Sequence, residues 1–250
     1  VHRLFCFAVD AGATMLVARF RRVFVDLNRD PLEIDPELAP DLSPSFAPRL
    51  SLRVRAGLGV IPSRLGSRRL YRAPLGAAEI SRRLQLAWFP YHRALAEMLS
   101  ALQRRFGSAV LLDAHSMPSS VAQLDGHMID VALGDRFGRT AASALVEAAC
   151  ARLQAAGLVC ARNQPFAGGH ITETYGQPAA GVHVLQVELR RALFMDERTY
   201  CLHSGAERLA AVLADVVQAV AHIALALRPD AGAAADQART RVQPDRIAAD

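Results

Sequence analysis

Short apolar runs alternate with polar, glycine- and proline-bearing segments along the chain, and the spacing within each run predicts an element. Five runs rich in apolar or β-branched residues predict strands, over residues 14–20, 23–27, 108–116, 158–163 and 182–190. Apolar positions at helical spacing predict three helices, over residues 79–106, 135–157 and 205–227. Gly107 and Gly157 end the first two helices, and Pro90 is expected to kink the first.

Two long irregular segments and a polar tail lie between and after these elements. Pro, Asp, Ser and Gly dominate residues 28–76, and residues 163–181 form a second glycine-rich loop. Loops of this length inside a domain are usually functional. Residues 229–250 contain no large apolar residue apart from a single Val and a single Ile, which predicts a disordered tail.

The order strand, helix, strand, helix, strand is typical of an α/β sandwich with a parallel or mixed sheet, and we expect a single domain. In such folds ligands collect where strands end and loops begin. The polar clusters of this chain lie at those places, in the segments VDLNRD, LLDAHSMPS, NQPFAGGHITETYG and LQVELR.

The composition of the 250 residues, 52% hydrophobic and 21% charged, excludes a wholly disordered, collagen-like or coiled-coil chain. The net charge is +5, but all 29 basic residues are Arg and are spread without an interleaved aromatic platform, so we expect no nucleic-acid partner. The cysteines lack CxxC spacing, no continuous apolar run reaches the ~18 residues of a membrane span, and no secretory leader is evident. We therefore expect a cytoplasmic protein with reduced thiols and no membrane partner.

Three residues in the predicted strands could carry chemistry: Asp113, His115 and Glu188. Asp113 and His115 lie two residues apart in a strand, so both side chains share one face, where Asp113 could orient the imidazole or share a metal with it. The alternative is a hydrogen-bonded histidine at a strand end. Glu188 interrupts an apolar strand, which favours either a general base or a carboxylate that faces solvent or pairs with Arg190 or Arg191.

The loops add candidate ligand contacts. Asn28 and Arg29 could bind a substrate carboxylate, or could form an ordinary turn beside a surface arginine. Gly168 and Gly169 would let the backbone approach a ligand, with Tyr175 as a polar tip, although glycine pairs are common in turns. His92 and His183 are interpreted as core or helix-surface histidines.

Taken in order, five segments resemble one family: VDLNRD, PYHRAL, FGSAVLLDAHSMPS, ALGDRFG and ARNQPFAGGHITETYGQPAAGVHVLQVELRRALFMDE. They look like the N-formylglutamate amidohydrolases (N-formylglutamate deformylases), over residues 10–227. The last segment is long and holds many fixed polar positions, so the match is specific. That family is similar in fold to the zinc carboxypeptidases, which implies an α/β three-layer sandwich of phosphorylase/hydrolase-like type with a mixed, largely parallel central sheet.

The resemblance implies zinc-dependent hydrolysis of N-formyl-L-glutamate, a small-molecule substrate, to formate and L-glutamate, a late step of histidine degradation. It implies Asn28 and Arg29 as binders of the substrate carboxylate, His115 as a zinc ligand and Glu188 as the general base. The alternatives are a deacylase of another N-acyl amino acid, or a truncated non-catalytic member of the family.

Two departures from the family pattern shape these expectations. Family members carry further metal ligands near their start in a His-Ser-Gly segment, whereas the HSG at residues 203–205 follows the Glu188 strand. We therefore expect residues 1–228 to form one amidohydrolase domain that lacks its N-terminal segment, with the other metal ligands upstream. Ser204 is expected to cap the last helix, and His170 stands where relatives usually have an aromatic residue.

Overall fold

A computed structural model describes residues 1–43 and 47–227. The α-helices are Phe7–Asp10 (α1), Leu52–Arg55 (α2), Ala77–Arg83 (α3), Phe89–Phe106 (α4), Ser143–Ala155 (α5), His170–Tyr175 (α6) and Gly205–Ala226 (α7). A π-helical segment, Leu84–Trp88, joins α3 to α4. The 3₁₀ turns are His2–Phe5, Ser119–Val121, Pro178–Ala180 and Arg191–Leu193. The strands are Arg64–Leu65 (β1), Arg68–Arg69 (β2), Ala109–Met117 (β3), Gln123–Leu124 (β4), His127–Met128 (β5), Val131–Gly134 (β6), Cys160–Arg162 (β7) and Val182–Arg190 (β8).

A four-stranded mixed sheet in the order β3–β8–β6–β7 forms the middle layer of the molecule. Strand β3 runs parallel to β8 over its whole length, β6 is antiparallel to β8, and β7 is parallel to β6. Helix α4 covers one face, and α5 and α7 cover the other. The expected α/β three-layer sandwich with a mixed, largely parallel sheet is confirmed.

Successive side chains of β3 and β8 point to opposite faces of the sheet, so each strand packs against both helical layers. Leu111 and Val184 pack in the cluster that contains α4, whereas Leu112 and Leu185 pack in the larger core with α5 and α7. Four polar residues of the two strands share the parity of Leu111 and Val184 and therefore face the α4 side: Asp113, His115, Gln186 and Glu188. The sequence prediction that Asp113 and His115 share one face is confirmed.

Helix α7 supplies much of the main core. Its Leu209, Leu213, Val216 and Val220 are buried against α5 and the sheet, in the i, i+3, i+4 pattern of an amphipathic helix. By length and composition alone α7 could span a membrane, with a mean hydropathy of 2.0 over its best window. Core helices of globular proteins can meet the same criterion, and the four buried residues give α7 a packing role within this domain.

The helix predicted over residues 79–106 is present as the continuous run from α3 to α4. Pro90 stands at the second position of α4, directly after the π-helical segment Leu84–Trp88, and its ring nitrogen donates no hydrogen bond to the preceding turn. The local irregularity is the π-helical segment before it. Gly107 ends the run in the left-handed conformation, with φ of 79°, as predicted.

Several sequence predictions of elements are wrong. Residues 14–20 and 23–27 do not form strands: they are irregular, and no strand of the sheet pairs with them. Helix α5 begins at Ser143 rather than at residue 135, because residues 135–142 form turns with positive φ at Arg136, Phe137 and Gly138. The sequence reading also missed β6 and the small hairpins β1–β2 and β4–β5.

The domain boundary is the remaining prediction about organisation. Residues 28–43 and 47–76 are irregular as expected apart from α2 and the β1–β2 hairpin. The prediction of a single domain over residues 1–228 stays a prediction. The predicted disorder of residues 229–250 lies outside the described residues.

Candidate functional site

Five polar side chains meet on the α4 side of the sheet, and we call them the Asn28 cluster: Asn28, Asp113, His115, Gln186 and Glu188. Four of them come from neighbouring strands in register, since Asp113 lies opposite Gln186 and His115 lies opposite Glu188. Both pairs stand in the C-terminal half of their strands, at the edge where ligands collect in α/β sheets. The sheet therefore brings together the residues that the sequence marked as candidates.

Asn28 connects the members of this cluster through its side-chain amide. Its Nδ2 donates to Asp113 Oδ2 at 3.1 Å and to Gln186 Oε1 at 3.2 Å, and lies 3.1 Å from His115 Nε2. Its Oδ1 accepts from the backbone N–H of Ile171 at 2.8 Å. Asn28 thus ties both strands to the start of α6, and the structure gives its amide an organising role in the site.

Glu188 is the buried carboxylate of the cluster, with 8% of its surface exposed. Gln186 Nε2 donates to its Oε1 at 3.2 Å, so Gln186 joins Asn28 to Glu188. Burial raises the pKa of Glu188, which outweighs the lowering by His115 and Arg22. The solvent-facing alternative is wrong, and pairing with Arg190 or Arg191 is not what the structure shows: Arg190 bonds Asp130 and Arg191 bonds Ser116.

His115 and Asp113 form a close pair, with His115 Nε2 2.9 Å from Asp113 Oδ1. Burial lowers the pKa of His115, but the charge and hydrogen bond of Asp113 outweigh it, so the net pKa is raised. The two oxygens of Asp113 therefore have different partners. Its Oδ1 can orient the imidazole of His115, and its Oδ2 accepts from Asn28 Nδ2.

The metal prediction can be tested against this arrangement. A catalytic zinc site needs about three protein ligands, and residues 1–43 and 47–227 contain no group of three His, Cys, Asp or Glu side chains placed to hold a metal ion. The described residues therefore do not make a complete zinc site. His115 and Asp113 are the pair within the cluster that could contribute to one.

Arg29 is held beside the cluster by backbone carbonyls. Its Nε donates to the carbonyl of Leu58 at 3.0 Å, and its Nη1 donates to the carbonyl of Asn28 at 2.8 Å. The Asp26 carboxylate lies 3.6 Å from Nε and also accepts from the backbone N–H of Asn28. Burial lowers the pKa of Arg29, against the opposing charge of Asp26. The guanidinium is therefore fixed in position, with only part of its fork engaged.

The glycine pair has a packing reason that the sequence did not reveal. A Cβ on Gly169 would lie 2.5 Å from both Cγ and Nδ2 of Asn28, and a Cβ on Gly168 would lie 2.9 Å from Thr172 Oγ1. Gly168 also has φ of 124°, which disfavours any side chain. The predicted approach of this backbone to a ligand stays a prediction; the close contacts of the pair are with the protein's own Asn28 and Thr172.

The loop that carries these glycines is anchored by Asn163. Its Nδ2 donates to Asp135 Oδ1 at 2.6 Å, and its Oδ1 accepts from the backbone N–H of Asp135 at 3.0 Å. Burial raises the pKa of Asp135, but hydrogen bonds from Arg162 and Asn163 outweigh it and lower the pKa overall. This fixed anchor holds the start of the loop and so supports the placement of Gly169 against Asn28.

Tyr175 and His92 form an aromatic support for the segment that holds Asn28. Tyr175 Oη lies 2.9 Å from His92 Nδ1, and His92 Nε2 lies 2.9 Å from the carbonyl oxygen of Leu27. The His92 ring stacks between Trp88 and Tyr175. Burial lowers the pKa of His92 to about 4, so the ring is neutral at pH 7. The interpretation of His92 as a core histidine is confirmed.

The other histidines lie in distinct settings. His183 is buried with its Nε2 unpaired among the described residues, and burial lowers its pKa. The His170 ring is tilted against Trp88 and meets His92 edge-on, and burial lowers the pKa of His170. At the start of α7, His203 Nδ1 accepts from the backbone N–H of Gly205 at 3.0 Å. Ser204 stands at the predicted N-cap position of α7, but its side chain makes no capping hydrogen bond.

Two members of the site were missed by sequence reasoning, Gln186 and Asp26. Gln186 stands two residues before Glu188, so the alternation rule that paired Asp113 with His115 would have placed it on the same face. Asp26 stands two residues before Asn28 in a segment without sheet pairing, and no periodic signal marks it. It accepts from Arg22 Nε at 2.8 Å and thereby neutralises charge beside Arg29.

Comparisons with known proteins identify the family of the chain. Residues 1–195 match the family model described as N-formylglutamate amidohydrolase. N-formylglutamate deformylase of Pseudomonas aeruginosa is 38% identical over 229 residues, which cover 88% of this chain and 79% of that protein. The enzyme of that name from Pseudomonas putida is 36% identical over 205 residues, covering 79% of this chain and 70% of that protein.

Solved structures support the same relation. The crystal structure of N-formylglutamate amidohydrolase from Ralstonia eutropha has a TM-score of 0.76 and 33% identity, covering 84% of this chain and 76% of that chain. A gene product of Agrobacterium tumefaciens, at a TM-score of 0.54 and 20% identity over 82% of this chain and 69% of that chain, shares the fold alone. The chain belongs to the N-formylglutamate amidohydrolase family.

Proposed function

We propose that this protein hydrolyses the formyl amide bond of N-formyl-L-glutamate to give formate and L-glutamate. The observation that carries the proposal is the buried Glu188 carboxylate, held beside His115 by the pairing of β3 with β8. Relatives that cover most of this chain are named N-formylglutamate deformylases, and this supports the choice of substrate.

In this proposal Glu188 acts as the general base. It takes a proton from a water molecule as the water oxygen bonds to the formyl carbon, and returns that proton to the amide nitrogen as the C–N bond breaks. The raised pKa of Glu188 suits this role, because a base works best when its pKa approaches the working pH. Gln186 fixes one carboxylate oxygen and leaves the other for the water.

Substrate recognition is assigned to the residues around Asn28. Arg29 uses Nε and Nη1 for backbone carbonyls, and its Nη2 makes no hydrogen bond with the described residues. We propose that this Nη2 contacts a glutamate carboxylate. The contacts of Asn28, Gly168, Gly169 and Tyr175 with substrate stay predictions, since their described contacts are with protein groups.

Zinc is proposed as the metal of the active protein, with His115 as one ligand. A bound zinc ion would act as a Lewis acid toward the formyl group. Because the described residues do not complete a zinc site, the remaining ligands would have to come from outside them. The proton transfers assigned to Glu188 are the same whichever groups supply those ligands.

We also propose a cytoplasmic location and a place in histidine degradation. The four free thiols are compatible with that location.

The test is release of formate from N-formyl-L-glutamate by the purified protein, including any in-frame polypeptide upstream of Val1. Glu188→Gln keeps the shape of the side chain and removes the base, so we expect kcat to fall by about 10²–10⁴-fold. The matched control is Glu207→Gln on the exposed side of α7, which should leave kcat unchanged.

Two results would contradict the proposal. If the folded protein releases no formate but cleaves N-acetyl amino acids, the substrate is wrong, although the amide chemistry stands. If Glu188→Gln retains full kcat, Glu188 is not the base. Metal content, measured on the same samples by mass spectrometry, tests zinc separately, and a fully active protein without zinc would refute the metal proposal.

A further inference from the structure

Two arginine side chains share one carboxylate beside the Asn28 cluster. Arg22 Nε donates to Asp26 Oδ2 at 2.8 Å, and Arg29 Nε lies 3.6 Å from the same oxygen. Burial lowers the pKa of Arg29, and the nearby charge of Arg22 lowers it further, against the opposing charge of Asp26. Asp26 balances only one of the two positive charges, so the arginine pair has charge left for a further anion.

Arg22 lies on the same side of the sheet as the polar groups of the cluster. It lines one cavity together with Asn28, Asp113 and His115. Burial raises the pKa of Glu188, and the charge of Arg22 acts against that rise. The guanidinium is therefore close enough to the proposed base for its charge to act there.

Part of the Arg22 guanidinium is open to a ligand. Its Nε carries the bond to Asp26, and its Nη1 and Nη2 make no hydrogen bond within the described part of the chain. The side chain of Arg22 is 55% exposed, against 12% for Arg29. The two cations thus lie at different depths, with Arg29 held by backbone carbonyls and Arg22 accessible from solvent.

N-formyl-L-glutamate, the substrate of the proposed function on which this step rests, carries two carboxylates. Its α-carboxylate is attached to the carbon next to the amide nitrogen, so it has to bind close to Glu188 and suits the deeper Arg29. We propose that Arg22 binds the side-chain carboxylate and is the residue that makes the site prefer an acidic amino acid. Asp26 holds both guanidiniums in place, so a ligand with two carboxylates can engage both at once.

Arg191 is the competing candidate, because its charge also acts on Glu188. Its Nε donates to Ser116 Oγ at 3.4 Å. Ser116 has the parity of Leu112 in β3, so its side chain lies on the sheet face opposite to the cluster. Arg191 is therefore drawn away from the position where a ligand would meet Arg29.

The experiment measures the affinities for N-formyl-L-glutamate and N-formyl-L-glutamine by titration calorimetry. The two ligands have nearly the same shape and differ in the charge at the end of the side chain. The protein carries Glu188→Gln, so that neither ligand is consumed. We expect the glutamate ligand to bind about 10-fold more tightly, and Arg22→Gln to remove that preference while changing the Kd of the glutamine ligand less than about 2-fold.

Two further variants control this measurement. Arg22→Lys keeps the charge without the planar fork and should keep part of the preference. Arg82→Gln is the matched control, because the Arg82 side chain is also 55% exposed and its Nε pairs with Glu79 at 2.7 Å. It should leave both affinities unchanged. Urea unfolding followed by Trp88 fluorescence verifies that each variant is folded.

Four results would overturn the proposal. Equal affinity for the two ligands, or no binding of either, refutes it while Arg22 is intact and needs no further variant. An equal loss for both ligands in Arg22→Gln leaves Arg22 only the role of neutralising Asp26. Loss of the preference in Arg191→Gln, and not in Arg22→Gln, assigns the carboxylate to Arg191. Binding is measured without turnover, so failure to release formate refutes the reaction, whereas an Arg22-dependent preference still upholds this assignment.

Discussion

The contact between Gly169 and Asn28 gives the sharpest test of how the site is held. Gly169 has φ of −104°, so alanine is allowed there by the backbone. The methyl group of Gly169→Ala would lie 2.5 Å from Asn28 Cγ and Nδ2. An ordinary contact needs at least 3.4 Å, so the Asn28 amide or the loop must move by about 1 Å.

The cost of that movement follows from the bonds of Asn28. A shift of about 1 Å breaks hydrogen bonds that now span 2.8–3.2 Å, to Ile171, Asp113 and Gln186. At about 1 kcal/mol net for each bond, the loss reaches about 3 kcal/mol. Alanine is also a poorer N-cap for α6 than glycine, which adds at most about 1 kcal/mol. We expect Gly169→Ala to lower the free energy of unfolding by about 2–4 kcal/mol.

The assay is urea unfolding followed by fluorescence of Trp88, the single tryptophan of the chain. A double-mutant cycle with Asn28→Ala isolates the clash, because that background has no amide to displace. There Gly169→Ala should cost no more than the capping loss of about 1 kcal/mol. An equal cost in both backgrounds would refute the reasoning and place the effect in α6.

Three further predictions use single substitutions. Gln186→Leu should lower kcat for formate release by about 10-fold or more, with KM changed less than about 2-fold, since Gln186 orients Glu188; an unchanged kcat would remove that positioning role. Because the folded pKa of Asp135 is lowered, its contribution to stability is present above about pH 4 and is lost as pH falls through the folded value. Asp135→Asn should therefore be less stable at pH 7 and lose less in acid, as acid titration followed by circular dichroism would show. Tyr175→Phe should lower stability by about 1 kcal/mol in thermal unfolding, whereas Tyr200→Phe, at a 66% exposed position, should not.

The residues that sequence reasoning identified correctly follow from a local rule. Alternation in β3 places Asp113 and His115 on one face whatever the rest of the fold does. The apolar run around Glu188 made its burial costly and therefore informative. Both arguments need only the strand itself: the structure confirms the shared face of Asp113 and His115 and, of the two alternatives left open for Glu188, shows the buried one.

The roles of Asn28 and Gly169 could not be derived in the same way. Asn28 bonds Asp113 and Gln186, which lie 85 and 158 residues away in sequence, and Gly169 is small because Asn28 lies against it. These contacts depend on which strands become neighbours and on the path of the loop. A turn interpretation of Asn28 and a loop interpretation of Gly169 were each locally sufficient, so composition and spacing did not choose between them.

Residues 14–20 and β6 show the same limit for strands. The run TMLVARF has the composition of a strand but has no backbone partner among the residues that the structure describes. Val131–Gly134 is only four residues long, yet it forms an inner strand between β8 and β7. Strand propensity measures how well side chains suit a pleated surface, and it does not supply the neighbouring strand. Met15 and Leu16 already point to opposite layers. What residues 14–20 lack within the described part of the chain is a hydrogen-bonded neighbour, and this is why a strand-like sequence does not form a strand there.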